Sequence, residues 1–240
     1  MTETELRKTM VAKARSFIGF RIGSKHHKDI VDRFNQIKPD GWSMTYNAPW
    51  CATFASAIAM MVCGNSKAVK YFPLSANCGT IIEKAKKMGI WQEKDSYKPS
   101  IGDWILYDWD DNGVGDNHGS PDHVGIVALV DGGMIHVVEG NKHDAVGLRV
   151  LSLNGRWIRG FVTPNYGELS LAMSPKGIVI KDKAGLRAKP GKFNKLITRL
   201  SKNGTVTIIK SAKSPAKKTW YYVKTGSRYG YVYSKYIRKK

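Results

Sequence analysis

The 240-residue sequence has few cysteines and no long apolar run, and each shortage excludes a class of protein. No apolar stretch reaches the roughly 18 residues that a membrane-spanning helix requires, so we expect no membrane insertion. Three cysteines are too few for a disulfide framework, and their odd number leaves at least one free thiol. The first ten residues lack the apolar segment of a secretory signal peptide. We therefore expect synthesis in the cytoplasm, with another route of delivery to any substrate beyond the membrane.

Acidic residues are scarce in one part of the chain only. The formal net charge is +20. Residues 168–240 hold 19 Lys and Arg against 2 acidic residues, a net of +17, whereas residues 1–167 carry a net of +3. This asymmetry predicts two domains with different functions, the second suited to an anionic surface. Nucleic acid and the phosphate polymers of a Gram-positive wall are both such surfaces.

The hydrophobic spacing predicts helices first and strands afterwards. Apolar residues recur every three to four positions in four stretches, which predicts helices near 4–18, 28–37, 50–62 and 79–88. Segments rich in Val, Ile and aromatic residues predict strands at 103–109, 123–130, 134–139, 148–153 and 157–162. This order is typical of an α+β domain. Beyond a lapse in periodicity, only short strands and glycine-bearing turns follow, which indicates a small all-β barrel. We therefore divide the chain into residues 1–166, a linker at 167–175, and residues 176–240.

Cys51 is the strongest candidate for a nucleophile. It lies just inside the predicted third helix, after Pro49, where unpaired backbone N–H groups and the helix dipole favour a thiolate. A thiolate can attack a carbonyl carbon, and the same N–H groups can stabilise the resulting oxyanion. Packing alone also explains a cysteine in this setting, so the assignment depends on its partners. Cys63 and Cys78 are better explained as small buried hydrophobic residues.

His123, Glu139 and Asn141 supply the partners that such a nucleophile needs. His123 begins a predicted strand and is well placed to act as a general base. Glu139 and Asn141 end the next strand, two residues apart, which predicts that they share one face. Across a hairpin from His123, Glu139 would hold the imidazole in place and stabilise its protonated form.

Four successive motifs around these residues resemble the CHAP family, which comprises cysteine, histidine-dependent amidohydrolases/peptidases of papain-like fold. The motifs are Asn47-Ala-Pro-Trp-Cys51-Ala-Thr-Phe54, Tyr97-Lys-Pro-Ser-Ile-Gly-Asp103-Trp-Ile-Leu-Tyr107, Asp122-His123-Val-Gly-Ile-Val127 and Val138-Glu139-Gly-Asn141. The resemblance covers about residues 5–166. It implies Cys51 as nucleophile, His123 as general base and acid, Glu139 as the orienting acid, and Asn141 as a supporting polar group. Members of this family cut either the muramoyl–L-alanine amide or a peptide bond in the stem or cross-bridge of peptidoglycan, and the motifs leave both open.

An acidic stretch beside the second motif follows the D-x-D-x-N-G spacing of a calcium loop. Its candidate ligands are Asp108, Asp110, Asn112 and Asp116. The twelfth position holds Gly119 rather than the bidentate Glu of such loops, and a solvated hairpin tip explains the same residues. Both interpretations stay open, and we expect no cofactor to be required.

The basic C-terminal segment resembles the bacterial SH3-like domain over about residues 176–238. The motifs that carry the resemblance are Gly185-Leu-Arg-Ala-Lys-Pro-Gly191, Leu200-Ser-Lys-Asn-Gly-Thr-Val-Thr-Ile-Ile209, Trp220-Tyr-Tyr-Val-Lys224 and Gly230-Tyr-Val-Tyr-Ser-Lys-Tyr-Ile237. Such domains commonly tether lytic enzymes to the wall. The candidate wall-binding residues are Tyr221, Tyr222, Tyr229 and Tyr231, although alternate residues of these strands must also fill the core of the barrel.

Together these features predict a monomeric two-domain peptidoglycan hydrolase of the phage-endolysin type, which also binds anionic wall polymers. A prophage-encoded or non-classically exported enzyme stays open as its source. A nucleic-acid-binding protein is an alternative, because a module of charge +17 can bind phosphates. No recognised nucleic-acid motif accompanies that charge, so we expect no nucleic acid as partner. A wall-binding protein with an inactive catalytic domain is a further alternative.

Overall fold

The structure, a computed structural model, describes residues 1–111 and 118–240. The chain divides into two compact units, Arg7–Asn165 on the one hand and Met1–Leu6 with Tyr166–Lys240 on the other. Much of the segment that we expected to be a linker forms a helix, Tyr166–Met173, in which Tyr166 and Leu169 are fully buried. A helix of this length offers too few apolar positions to show its period in the sequence.

Helices form the first half of the larger unit. They are α1 (Glu3–Arg15), whose residues from Arg7 onward belong to this unit, α2 (Lys25–Asn35), α3 (Cys51–Cys63), α4 (Asn65–Tyr71) and α5 (Cys78–Lys87). Four of the five correspond to predicted helices. The sequence analysis missed α4, which follows α3 directly because Gly64 takes a positive φ of 76° and turns the chain.

A six-stranded antiparallel sheet follows these helices. Its strands are β1 (Trp91–Gln92), β2 (Trp104–Tyr107), β3 (His123–Asp131), β4 (Met134–Lys142), β5 (Ala145–Ser152) and β6 (Ile158–Val162), in the order β1-β6-β2-β3-β4-β5. In the β3–β4 hairpin, Ile126 lies opposite Val138. Continued toward the start of β3, this register brings Glu139 diagonally across from His123, on the same face of the sheet. The predicted α+β class is confirmed.

The central helix of this unit is α3, and it presents Cys51 to the sheet. All of its thirteen residues except Met61 and Val62 are buried, as expected of an apolar helix enclosed on all sides. It packs on β3 and β4. Gly140 allows the close approach of β4, since a Cβ at this position would lie 2.4 Å from Cβ of Phe54. The start of α3 therefore lies against the strand segments that carry His123 and Glu139.

The second unit contains the helix Tyr166–Met173, here α6, and a seven-stranded antiparallel sheet. The strands are β7 (Lys176–Val179), β8 (Ala184–Arg187), β9 (Leu196–Leu200), β10 (Thr205–Lys213), β11 (Thr219–Thr225), β12 (Arg228–Tyr233) and β13 (Ile237–Lys239), in the order β13-β7-β10-β11-β12-β8-β9. One apolar cluster, which includes Leu186, Val206, Val223 and Val232, forms the core. The sequence analysis missed β9 because it buries only Leu200 and so shows no apolar alternation.

Among the helices of the described residues, none combines the length and apolar character that crossing a bilayer would require.

Candidate active site

Cys51 is the first residue of α3 and is only 6% exposed. The preceding residue, Trp50, contributes no side-chain cap to the helix. The first N–H groups of a helix have no partner within the helix itself, so this terminus offers donors to negative charge at or near the Cys51 sulfur. The position has the electrostatic character that the sequence predicted for it.

His123 lies between Cys51 and Glu139. Its Nε2 atom is 3.4 Å from Oε2 of Glu139, which is within ion-pair distance although neither atom makes a hydrogen bond of good geometry. The imidazole ring also lies 5.9 Å from the ring of Tyr107 and 5.9 Å from that of Trp109. These rings enclose the imidazole and restrict its orientation.

The pKa values of Cys51 and His123 move in opposite directions. The pKa of Cys51 lies well below its usual value, chiefly because the Cys78 thiol donates a hydrogen bond to its sulfur; burial opposes this shift and His123 supports it. Burial alone would lower the pKa of His123, but its contacts with Cys51 and Glu139 raise that pKa to about 9. Both shifts favour the thiolate–imidazolium form of the pair, which is the reactive form of a cysteine nucleophile.

Arg149 supports the carboxylate behind His123. Glu139 is fully buried, and its Oε1 accepts a 2.6 Å hydrogen bond from Nε of Arg149. Burial would raise the pKa of Glu139, but His123 and Arg149 lower it. The Arg149 guanidinium in turn lies 4.7 Å from the ring of Trp109. The sequence analysis missed Arg149, although its position in a predicted strand next to the Glu139 hairpin was an available signal.

Comparison with known families agrees with this geometry. Residues 41–141 match the CHAP domain, and residues 182–238 match the bacterial SH3 domain. The chain is a CHAP domain followed by a bacterial SH3 domain. The architecture suggested by the sequence motifs is thereby confirmed.

Solved structures show only distant likeness to this CHAP–SH3 chain. A structure titled "The crystal structure of Ly7917" is 14% identical, with 100% of this chain and 98% of that chain covered and a TM-score of 0.37. The structure titled "The crystal structure of Ly7917 with the hydrolyzing product of MDP" is 16% identical, with the same coverage and TM-score. NlpC2 from Trichomonas vaginalis is 12% identical over 63% of this chain and 48% of that chain, with a TM-score of 0.24. No curated protein matches the chain.

Asn141 lies within β4 of the CHAP domain but departs from regular strand geometry. Its φ is 56°, and the β4–β5 register shifts between Glu139 and Lys142. A left-handed residue interrupts the regular alternation from which a shared face with Glu139 was expected, so alternation alone does not assign the face of Asn141. Its supporting role stays a prediction.

The candidate calcium loop is only partly described. Asp108 is buried and its Oδ1 accepts a hydrogen bond from the backbone N–H of Asp110, while Asn112 and Asp116 lie outside the described residues. In the described parts of the chain, no three His, Cys, Asp or Glu side chains are grouped so that they could hold a metal ion. Calcium binding by this loop stays a prediction.

The SH3 domain presents two aromatic surfaces. Among the predicted tyrosines, the Tyr222 ring lies 6.2 Å from that of Tyr229 and 4.9 Å from that of Tyr231, whereas Tyr221 is partly buried against the core. A separate cleft of about 380 Å³ contains none of these four residues. Its lining includes Phe193, Asn194, Pro215, Trp220, Tyr233 and Tyr236. Phe193 is 91% exposed at the edge of this cleft.

Proposed function

We propose that this chain is a peptidoglycan hydrolase in which Cys51 attacks an amide carbonyl of the bacterial wall. The observation that carries the proposal is the connected series Cys51, His123, Glu139 and Arg149, in which the first three side chains are buried and each side chain contacts the next. A series in which a thiolate, an imidazolium and a carboxylate are held together is the arrangement that nucleophilic acyl transfer needs. A wall-binding protein with an inactive catalytic domain would not need this arrangement of thiolate, imidazolium and carboxylate.

The reaction proceeds in two halves. The Cys51 thiolate adds to the carbonyl carbon, and N–H groups at the start of α3 stabilise the oxyanion. His123 gives its proton to the departing amine, which leaves an acyl group on Cys51. In the second half the neutral His123 takes a proton from water, the hydroxide attacks the thioester, and Cys51 leaves as a thiolate. Glu139 stabilises the positive charge on His123 before and after each transfer.

The scissile bond is either the N-acetylmuramoyl–L-alanine amide or a peptide bond of the stem or cross-bridge, including a D-alanyl-glycyl bond. Mass spectrometry of digested walls separates the two, because an amidase frees lactyl groups whereas an endopeptidase creates new amino termini. We further propose that the enzyme acts on the wall after its release from the cytoplasm, as phage endolysins do.

The nucleophile is tested by Cys51→Ala with Cys63→Ala as the matched control, since both cysteines are buried in the same helix. Cys51→Ala abolishes clearing of isolated walls while the protein still sediments with them, and Cys63→Ala retains clearing. Lysis by Cys51→Ala would refute the assignment. Stronger retention on DNA than on walls at physiological salt would favour the nucleic-acid alternative instead.

For the SH3 domain we propose wall binding through the cleft beside Phe193. Aromatic rings with an amide at the edge, as Trp220, Tyr236 and Asn194 provide, suit a peptide or sugar ligand. The many lysines of the domain add attraction to anionic wall polymers, and this part weakens with salt. Tyr222, Tyr229 and Tyr231 remain candidates for a second contact surface.

A further inference from the structure

A second cysteine faces the candidate nucleophile. Sγ of Cys78 lies 4.0 Å from Sγ of Cys51, and both cysteines are free and buried. Each is the first residue of its helix, α3 for Cys51 and α5 for Cys78, so two helix N-termini converge at the pair. We propose that Cys51 and Cys78 form a site of reversible oxidation, in which a hydroperoxide converts the two thiols into a disulfide.

Hydrogen bonds hold the Cys78 segment against α3. The Ser56 hydroxyl, within α3, donates to the carbonyl of Ser75 at 2.9 Å and accepts from its N–H at 3.1 Å. Asp40 accepts from the Ser75 hydroxyl at 3.0 Å and from the Ala76 N–H at 2.8 Å. These hydrogen bonds fix the backbone that leads into Cys78 against α3, the helix that begins with Cys51.

Lys84 secures the same segment from within α5. Its ammonium donates to Asp40 at 3.0 Å and to the carbonyl of Leu74 at 2.7 Å. Cys78 thereby stays next to Cys51, and formation of the disulfide shortens the distance between the two sulfurs from 4.0 Å to about 2 Å.

The two cysteines have different roles in the oxidation. Cys51 is the thiolate, and its sulfur attacks the peroxide oxygen, which gives a sulfenic acid and releases an alcohol or water. Cys78 remains a thiol, because the hydrogen bond to Cys51, burial and the negative charge of Cys51 raise its pKa. The sulfur of Cys78 then displaces hydroxide from the sulfenic acid, its proton leaves with that hydroxide as water, and the disulfide forms. The hydroperoxide is reduced by two electrons and the two cysteines are oxidised by two.

Cys63 provides a control within the same helix. It ends α3, twelve residues from Cys51, which corresponds to about 18 Å along the axis. Burial raises the pKa of its thiol to about 12, so it reacts poorly with peroxide. Neither its reactivity nor its position allows it to replace Cys78.

The disulfide has a protective consequence. It removes the Cys51 thiolate from use, and it also stops oxidation before the irreversible sulfinic and sulfonic acids form. A dithiol then restores both thiols. The effect on lysis rests on the proposed function of Cys51, whereas disulfide formation does not, and the two are measured separately.

The experiment treats the full-length protein with limiting hydrogen peroxide and follows mass, thiols and lysis. In the wild type and in Cys63→Ser, we expect a mass loss of two hydrogen atoms per chain and a linked pair of peptides containing Cys51 and Cys78. Lysis falls as the linked pair forms, and dithiothreitol restores most of each protein's own untreated rate. In Cys78→Ser, Cys51 instead gains oxygen atoms. In a second treatment, with excess peroxide, dithiothreitol recovers less than about a tenth of the untreated rate of Cys78→Ser.

Several results would overturn the proposal. One is the addition of oxygen to Cys51 in the wild type while Cys78 still reacts with an alkylating agent. Another is a disulfide that involves Cys63. The third is equal recovery of the lytic rate in the wild type and in Cys78→Ser after dithiothreitol. Because the linked peptides are sought in the wild type, a folding defect in Cys78→Ser does not remove the test, and Cys78→Ala serves as the second variant. A protein that forms the disulfide but lacks lytic activity would refute the proposed function alone.

Discussion

Nε of Arg149 donates a 2.6 Å hydrogen bond to Oε1 of Glu139, whose other oxygen lies 3.4 Å from Nε2 of His123. The carboxylate is fully buried, whereas the side chain of Arg149 is 28% exposed. A buried carboxylate flanked by two cationic groups stays ionised and fixed in direction. Arg149 is therefore a positioning residue that acts on His123 through Glu139.

Arg149→Leu should lower the lytic rate about 10- to 100-fold, by analogy with the loss of partners that orient the ligands of a metal site. Loss of this nearby positive charge should also raise the pKa of His123 further, so the basic limb of the pH profile should move upward. Arg149→Lys keeps the charge but loses the planar donor, and should recover part of the rate. Kinetics on purified walls across pH measure both effects. An unshifted profile in Arg149→Leu would show that Arg149 acts only on stability.

The lytic rate should fall as the pH rises through about 9, because His123 then loses the proton that it gives to the departing amine. The direction follows from the raised pKa, since the imidazolium exists below this value and disappears above it. Sedimentation with walls over the same range separates catalysis from binding. A loss of activity centred near the ordinary histidine pKa, with wall binding unchanged, would contradict the predicted charge state of the pair.

Glu139→Gln should lower the lytic rate about a hundredfold or more, because the amide cannot stabilise the imidazolium as a carboxylate does. The pKa of His123 falls and that of Cys51 rises, so alkylation of Cys51 at pH 7 should slow. A Cys63→Ser background keeps this cysteine from contributing to the alkylation signal. Unchanged alkylation with unchanged lysis would remove Glu139 from the site.

Gly140→Ala should destabilise the CHAP domain by about 1–3 kcal/mol, the usual range for overpacking a core. The new Cβ would lie 2.4 Å from Cβ of Phe54, between α3 and β4. Gly147→Ala is the matched control in the same hairpin, because its Cβ would meet only the flexible side chain of Lys142, at 3.0 Å. Thermal unfolding of both variants provides the comparison. Equal melting temperatures would show that α3 and β4 can move apart with little loss of stability.

Phe193→Ala should weaken wall binding by the SH3 domain while leaving its melting temperature unchanged, because the side chain is 91% exposed. Tyr229→Ala tests the other aromatic surface, where Tyr229 is 40% exposed. Sedimentation of walls at low and high salt separates ligand contact from general charge attraction. If only Tyr229→Ala weakens binding, the wall-binding surface lies at the tyrosine cluster rather than at the cleft.

The local sequence pattern was sufficient to predict most of the candidate site and the longer helices and strands. A cysteine after Pro49 at the start of an apolar helix, a histidine opening a strand and Glu139 ending the next are each visible in short stretches of sequence. Helices and strands with enough residues to show a period were predictable in the same way. The short helix α4 and the edge strand β9 were not, because neither carries a period long or apolar enough to recognise.

The sequence by itself was sufficient to recognise a CHAP domain followed by an SH3-like domain and to show the charge asymmetry between them. It was also sufficient to select the three candidate residues Cys51, His123 and Glu139. Only the tertiary structure decided which distant groups join them. Arg149 reaches Glu139 through the pairing of β4 with β5, and Cys78 reaches Cys51 through the Ser56 and Asp40 hydrogen bonds. Such contacts depend on strand register and on how a loop docks against a helix, and neither leaves a periodic signal in the chain.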